Sequence, residues 1–142
     1  MYLPPRYSIL SILNYLMRVL LADDRSQVRS ALRFLLEQET NLQVVGEAIN
    51  ATGLLQQLQT SQPDLVLLDW ELPGMPITNL LTALRQQTPQ VQIVVLSSRL
   101  EARPAALAAG IEMFISKGNP PEQLLSILQT MRRQKKNTSC GR

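Results

Sequence analysis

Leu65-Val66-Leu67-Leu68-Asp69 is a run of four aliphatic residues that ends on a carboxylate, and its reading decides the fold. Pro63-Asp64 precedes it and Pro73-Gly74-Met75-Pro76 follows, so turn signals bound it on both sides. A short apolar run between turns reads as a strand buried on both faces, as in a parallel sheet. Working outward, three more runs have the same form. Val19-Leu20-Leu21-Ala22 runs into Asp23-Asp24, Ile93-Val94-Val95-Leu96 into Ser97, and Met113-Phe114-Ile115-Ser116 into Lys117. Leu42 to Ala48 is a fifth candidate strand, ending Gly46-Glu47-Ala48 without a comparable polar signal.

Helical periods fill the gaps between these runs. Val28, Leu32, Leu35 and Leu36 predict a first helix from about Arg25 to Gln38. Asn50 is placed to cap a second helix carrying Leu54, Leu55 and Leu58. Ile77, Leu80, Leu81 and Leu84 mark a third, which Pro89 separates from the fourth strand. A short Ala-rich helix, about Pro104 to Ala109, runs into Gly110, a natural residue for a helix C-terminus. Asn119-Pro120-Pro121-Glu122 opens the last helix, with Leu124, Leu125, Leu128 and Met131 as its buried stripe.

Five strands alternating with five helices predict an α/β fold, a (βα)5 doubly wound parallel sheet with right-handed crossovers. The flavodoxin-like strand order 2-1-3-4-5 suits the chemistry. It makes strands 1, 3, 4 and 5 contiguous, and ligands bind an open sheet outside the carboxyl ends of its strands. Asp23, Asp24, Asp69, Ser97 and Lys117 then converge at one edge. Three carboxylates in one crevice repel unless a cation is present, and carboxylates with a phosphoryl oxygen suit Mg²⁺. The set is therefore equipped to hold a divalent cation and a phosphoryl group. No Gly-rich phosphate loop and no G-x-G-x-x-G occurs, so nucleotide binding has no positive support.

Composition narrows the function further. With 142 residues, 45% hydrophobic and 18% charged, the chain is globular and of single-domain size. It contains no histidine, which excludes His-based triads, His-ligated zinc and a phosphohistidine carrier role. The single cysteine, Cys140, rules out an intrachain disulfide and fits a reducing compartment. The net charge of +3 is carried by the end of the chain. Arg132, Arg133, Lys135, Lys136 and Arg142 account for five of 14 bases, leaving residues 1–131 with nine bases against 11 acids. A basic tail reads as a solvated end rather than a nucleic-acid site. Tyr7 to Leu21 is largely apolar but too short to span a bilayer, and it lacks a signal-peptide cleavage pattern. The expected organisation is an N-terminal extension over 1–16, preceding a start-like Met17, a domain over 17–133, and a basic tail over 134–142.

Four motifs in this order, each at a strand end, resemble the receiver domain of bacterial two-component response regulators. They are Val19-Leu-Leu-Ala-Asp23-Asp24, Leu65-Val-Leu-Leu-Asp69-Trp-Glu-Leu-Pro73-Gly74-Met75, Val94-Val-Leu-Ser97-Ser98 and Phe114-Ile-Ser-Lys117. The stretch Lys117-Gly-Asn-Pro-Pro-Glu-Gln-Leu-Leu is similar to the NarL-type subfamily in particular. The resemblance implies a signalling domain, not an enzyme acting on other molecules. It makes Asp69 the phosphoacceptor, with Mg²⁺ held by Asp23, Asp24, Asp69 and the backbone carbonyl of Glu71. Lys117 would pair with Asp69 at rest and with the phosphoryl group afterwards. Ser97 would supply the switch hydroxyl, and Phe114 an aromatic ring that turns inward behind it. Implied partners are a sensor histidine kinase and an output protein bound by the helix 4–strand 5–helix 5 surface, with a homodimer as a further candidate. Neither DNA nor membrane contact is expected, and the expected location is the cytoplasm. NarL-type regulators continue into a helix-turn-helix domain, for which the residues after the last helix are too few. Two departures stand out. Gly118 follows Lys117 where many members have proline, and the charged pair Glu71 and Arg99 sits two residues past Asp69 and Ser97, leaving the phosphoryl lifetime open.

Each site residue also has a plainer reading. Asp24 suits a cap on the first helix, Asp69 a turn, Lys117 a solvated lysine, Ser97 a loop hydroxyl and Phe114 plain core. Two other functions compete with the receiver: a small Mg²⁺-dependent aspartyl phosphatase or phosphotransferase, and a receiver-fold scaffold that does not use phosphate. Trp70, beside Asp69, is a candidate fluorescence reporter of metal or phosphate.

Overall fold

The computed structural model describes residues 15–140, and side chains within 15–134. Five parallel strands form one sheet: β1 (Met17–Ala22), β2 (Leu42–Ala48), β3 (Leu65–Asp69), β4 (Gln92–Ser97) and β5 (Met113–Ser116). Their spatial order is β2-β1-β3-β4-β5, as the strand-end chemistry predicts. The connecting helices are α1 (Ser26–Glu37), α2 (Ala51–Ser61), α3 (Ile77–Gln87), α4 (Arg103–Ala108) and α5 (Pro121–Cys140). A 3₁₀ turn, Leu100–Ala102, leads into α4.

Side-chain alternation along the strands divides the core in two. Leu20, Ala22, Val66, Leu68, Ile93, Val95 and Phe114 face α2, α3 and α4, where Leu54, Leu58, Leu80 and Leu84 meet them. Val19, Leu21, Leu65, Leu67, Val94, Leu96 and Ile115 face α1 and α5, against Leu36, Leu124, Leu128 and Met131. Both faces of the central strands are thus covered by apolar groups, which explains their continuous rather than alternating hydrophobicity.

Local signals act where the sequence places them. Asn50 caps α2, its Oδ1 accepting the Gly53 N–H at 2.8 Å. Gly110 adopts φ +88° just past α4, a conformation that costs glycine least. Gly74 has φ +117°, and a Cβ there would lie 3.0 Å from the Ala51 amide nitrogen, so the loop after β3 packs closely on the start of α2. The plainer reading of Asp24 fails: it does not cap α1, whose cap position is Arg25 with no side-chain bond. Residues 1–14 of the expected extension lie outside the described residues. Tyr15 packs against the α1/α5 core, and its carbonyl accepts a hydrogen bond from Arg132 at 3.0 Å.

Candidate functional site

The sheet register brings the polar strand ends together. Ala22 pairs with Leu68, Asp69 with Leu96, and Ser97 with Ser116. Main-chain bonds continue the ladder past the strand ends: Trp70 N–H donates to Leu96 O at 3.1 Å and Lys117 N–H to Ser97 O at 2.9 Å. Asp23, Asp69, Ser97 and Lys117 are therefore placed by sheet geometry rather than by a flexible loop.

Asp23 is 2% exposed, Asp69 6% and Ser97 2%, while Asp24 is exposed to solvent. One carboxylate oxygen from each of Asp23, Asp24 and Asp69 lies within 4.8 Å of the others. That spacing allows all three to face one small cation, and Asp24 keeps the cluster open to solvent. Lys117 reaches in from the β5 end. Its Nζ donates to Asp23 Oδ2 at 2.9 Å and stands 3.4 Å from Asp69 Oδ1. The ammonium bridges both buried carboxylates and lies closer to Asp23, whereas the sequence reading pairs it with Asp69 alone. Asp23 Oδ1 also accepts the Arg25 N–H at 2.9 Å.

Asp69 accepts the Glu71 N–H on Oδ1 at 3.2 Å. Burial pushes its carboxyl above the ordinary carboxylate range and nearby Asp23 adds to that, against the Glu71 N–H and the Lys117 charge, which pull it down. A partly desolvated carboxylate beside an ammonium suits a nucleophile in phosphoryl transfer, because little solvation must be stripped before attack.

The Ser97 hydroxyl is engaged by the loop after β4. Its Oγ accepts the Arg99 N–H at 3.0 Å and donates to Arg99 O at 3.4 Å. Phe114 is 6% exposed and sits in the α2–α4 core, so its ring is already inward in this structure. Above the crevice the Arg99 guanidinium bonds Glu71 at 2.9 Å and Glu101 at 3.0 Å, an exposed clasp joining the loops after β3 and β4. The sequence marks Glu71 and Arg99 as a charged pair near the site, and the structure brings the two into contact. It also adds Arg29, which no motif singles out and which donates to the Asp23 carbonyl at 2.8 Å. Among the described residues no helix is long and apolar enough to cross a membrane.

Comparison with known proteins agrees with this architecture. Residues 19–129 match the family model of the response regulator receiver domain. The nitrate/nitrite response regulator protein NarL of Escherichia coli (strain K12) is 34% identical over 112 residues, 78% of this chain and 52% of the relative. The uncharacterized transcriptional regulatory protein YhcZ of Bacillus subtilis (strain 168) is 34% identical over 115 residues, covering 80% of this chain and 54% of the relative. The chain thus spans about half the length of these curated relatives. Among solved structures, the isolated REC domain of RcsB from Salmonella enterica serovar Typhimurium superposes with a TM-score of 0.78 at 27% identity, covering 83% of this chain and 89% of that one. On its strand order, its acidic cluster and these matches, the chain belongs to the response regulator receiver domain family.

Proposed function

We propose that Asp69 accepts a phosphoryl group from a sensor histidine kinase in a Mg²⁺-dependent reaction, and that the modified domain presents a changed protein-binding surface. The observation that carries the reading is the shared environment of Asp69: a buried carboxylate with an ammonium at 3.4 Å and two further carboxylate oxygens within 4.8 Å. Asp23, Asp24 and Asp69 fit a divalent cation, with the Glu71 carbonyl as a further ligand. The cation supplies charge neutralisation for phosphoryl oxygens and for the carboxylates themselves.

In the transfer, an Asp69 oxygen forms a bond to phosphorus as the P–N bond of the donor phosphohistidine breaks. The electron pair of that bond leaves with the imidazole, and Asp69 becomes an acyl phosphate. Lys117, already between Asp23 and Asp69, neutralises one phosphoryl oxygen. Ser97 turns from Arg99 to donate to another, since the modification adds about −1.5 to −2 of charge and three acceptor oxygens. The loop carrying Ser97 leads through the 3₁₀ turn into α4, so this rotation repositions the α4–β5–α5 surface for an output partner or a second copy of the chain. Phe114, inward already, fills the space behind that loop. The proposed functional unit is 17–133, with 1–16 an extension and 134–142 a basic tail, acting in the cytoplasm.

Intact mass after incubation with Mg²⁺ and acetyl phosphate tests the reading. One added phosphoryl group, labile to hydroxylamine and absent from Asp69→Asn, is expected. An unmodified wild type under conditions where Mg²⁺ binds would refute it, and turnover of phosphate esters well beyond one equivalent would favour a phosphatase instead.

A further inference from the structure

β2 is the strand without a polar residue in the cluster, yet its Glu47 is connected to it. β1 pairs Val19 with Val44 but Leu20 with Gly46, so Val45 is an extra residue and β2 bulges. The bulge reverses side-chain parity. Before it, Leu42 and Val44 face α1 and α5; after it, Ala48 faces the opposite core and Gly46 lies against Gln57 of α2. Glu47 is thereby turned toward α1. There Oε1 accepts Arg29 Nε at 2.9 Å and Oε2 accepts Arg33 Nε at 2.6 Å. Arg29 uses a second nitrogen, donating from its guanidinium to the Asp23 carbonyl at 2.8 Å. The Arg29 side chain is only 16% exposed. Asp23 is thus held at both ends, its carboxylate by Arg25 N–H and Lys117 and its main chain by Arg29 braced on Glu47.

We propose that Arg29, oriented by Glu47, is a positioning residue for the acidic cluster, fixing the Asp23 main chain so that its carboxylate is held ready for a divalent cation. The inference rests on the reading of Asp23 as a metal ligand. Mg²⁺ demands short, near-octahedral geometry, so a ligand whose backbone is free to shift binds it less well. Outer contacts that orient metal ligands typically carry about 10–100-fold in affinity. Charge and position act in opposite directions here. As a bare cation on the main chain of one cluster residue, Arg29 would disfavour a second cation, and removing it would tighten Mg²⁺ binding. As a positioning group, removing it weakens binding.

The test is a Mg²⁺ titration of the full chain without any phosphodonor, followed by fluorescence of Trp70, the one tryptophan in the chain, and checked by calorimetry. Wild type is compared with Arg29→Met, Glu47→Gln and Arg33→Met, each confirmed folded by its melting curve. Arg33→Met removes the same charge from the same helix and one bond to Glu47, but Arg33 has no bond to Asp23. A Kd raised about tenfold or more in Arg29→Met, a smaller rise in Glu47→Gln and a change within about twofold in Arg33→Met are expected. Tighter or unchanged binding by Arg29→Met, or equal weakening in Arg29→Met and Arg33→Met, overturns the proposal. If Arg29→Met does not fold, Glu47→Gln decides, and binding equal to wild type overturns it. A wild type that binds no Mg²⁺ by either readout overturns the metal reading itself, an outcome distinct from the others.

Discussion

Lys117→Met removes the ammonium that bridges two buried carboxylates while keeping most of the side chain's length. Its Nζ lies 2.9 Å from Asp23 Oδ2 and 3.4 Å from Asp69 Oδ1, and the two carboxylate side chains are 4% and 6% exposed. At an effective dielectric of about 20, the Coulomb attractions are roughly 6 and 5 kcal/mol before desolvation is subtracted. Desolvation of the ammonium cancels much of that. Deleting one partner of a buried pair costs about 3–5 kcal/mol net, because the remaining charge is left uncompensated. Asp24 keeps the crevice open to water, which favours the lower end, about 3 kcal/mol. For a domain of this size that corresponds to a fall in Tm of about 10 °C.

Thermal melts in EDTA and in saturating Mg²⁺ measure both halves of the argument. In EDTA the variant melts well below wild type. Mg²⁺ at 100 times its Kd adds about 2.7 kcal/mol to any form that binds it only when folded. It adds more to Lys117→Met at equal concentration, since the cation no longer shares the cluster with an ammonium. A variant melting within about 2 °C of wild type in EDTA would show that the two contacts carry no net stability. Equal Mg²⁺ shifts in both proteins would place the ion away from these carboxylates.

Two further expectations concern Asp69 and Asn50. Burial raises the Asp69 carboxyl above its ordinary range in the folded state, so the folded protein binds that proton more readily than the unfolded chain does. The associated stability is complete below the ordinary carboxylate value and is lost as pH rises through the raised one. Without divalent cations Asp69→Asn is therefore more stable than wild type at pH 7.5, and urea midpoints should show the gap narrowing on acidification; a gap that widens refutes the sign. Asn50→Ala deletes the 2.8 Å cap on α2 and lowers stability by about 1 kcal/mol, read as a lower urea midpoint at unchanged m-value. An unmoved midpoint would mean that the Gly53 N–H finds another acceptor at no cost.

The fold was legible because burial on both faces leaves a parallel strand almost no polar residues until it emerges from the core. Leu65–Leu68 and Ile93–Leu96 are buried to the last residue, so the polar group that ends each run marks the sheet's functional edge. Chain position alone then brings Asp23, Asp69, Ser97 and Lys117 together. Pairing within that edge depends on side-chain direction, which the sequence does not encode locally. Lys117 bonds Asp23 more closely than Asp69, and Ser97 bonds Arg99 rather than the cluster. Glu47 shows the limit most clearly. Read as a regular strand, Leu42 to Ala48 would place residue 47 on the α2 side, away from Arg29. The one-residue bulge opposite Val19 and Leu20 reverses that assignment, and its sequence trace is slight: Val44-Val45 breaks the alternation and Gly46 interrupts the strand.

Under the proposed function, the resting contacts of Ser97 also bound how strongly a phosphoryl group would drive the switch. To reach Asp69 the hydroxyl must give up two bonds to the Arg99 main chain, at 3.0 and 3.4 Å, the second too long to be strong. A neutral bond of this kind contributes about 1 kcal/mol net, and a bond to a charged acceptor about 1.5–3 kcal/mol. The exchange then favours the turned state by roughly 1 kcal/mol, a factor of about five in population. Moving a two-state equilibrium from 1:99 to 99:1 takes about 5.5 kcal/mol. The Ser97 hydroxyl alone therefore cannot throw this switch from fully off to fully on. In the proposed mechanism the remaining drive would come from the phosphoryl charge acting on Lys117, and from a partner that binds one form of the α4–β5–α5 surface better than the other. On that proposal the receiver is a biased equilibrium that its partner would complete.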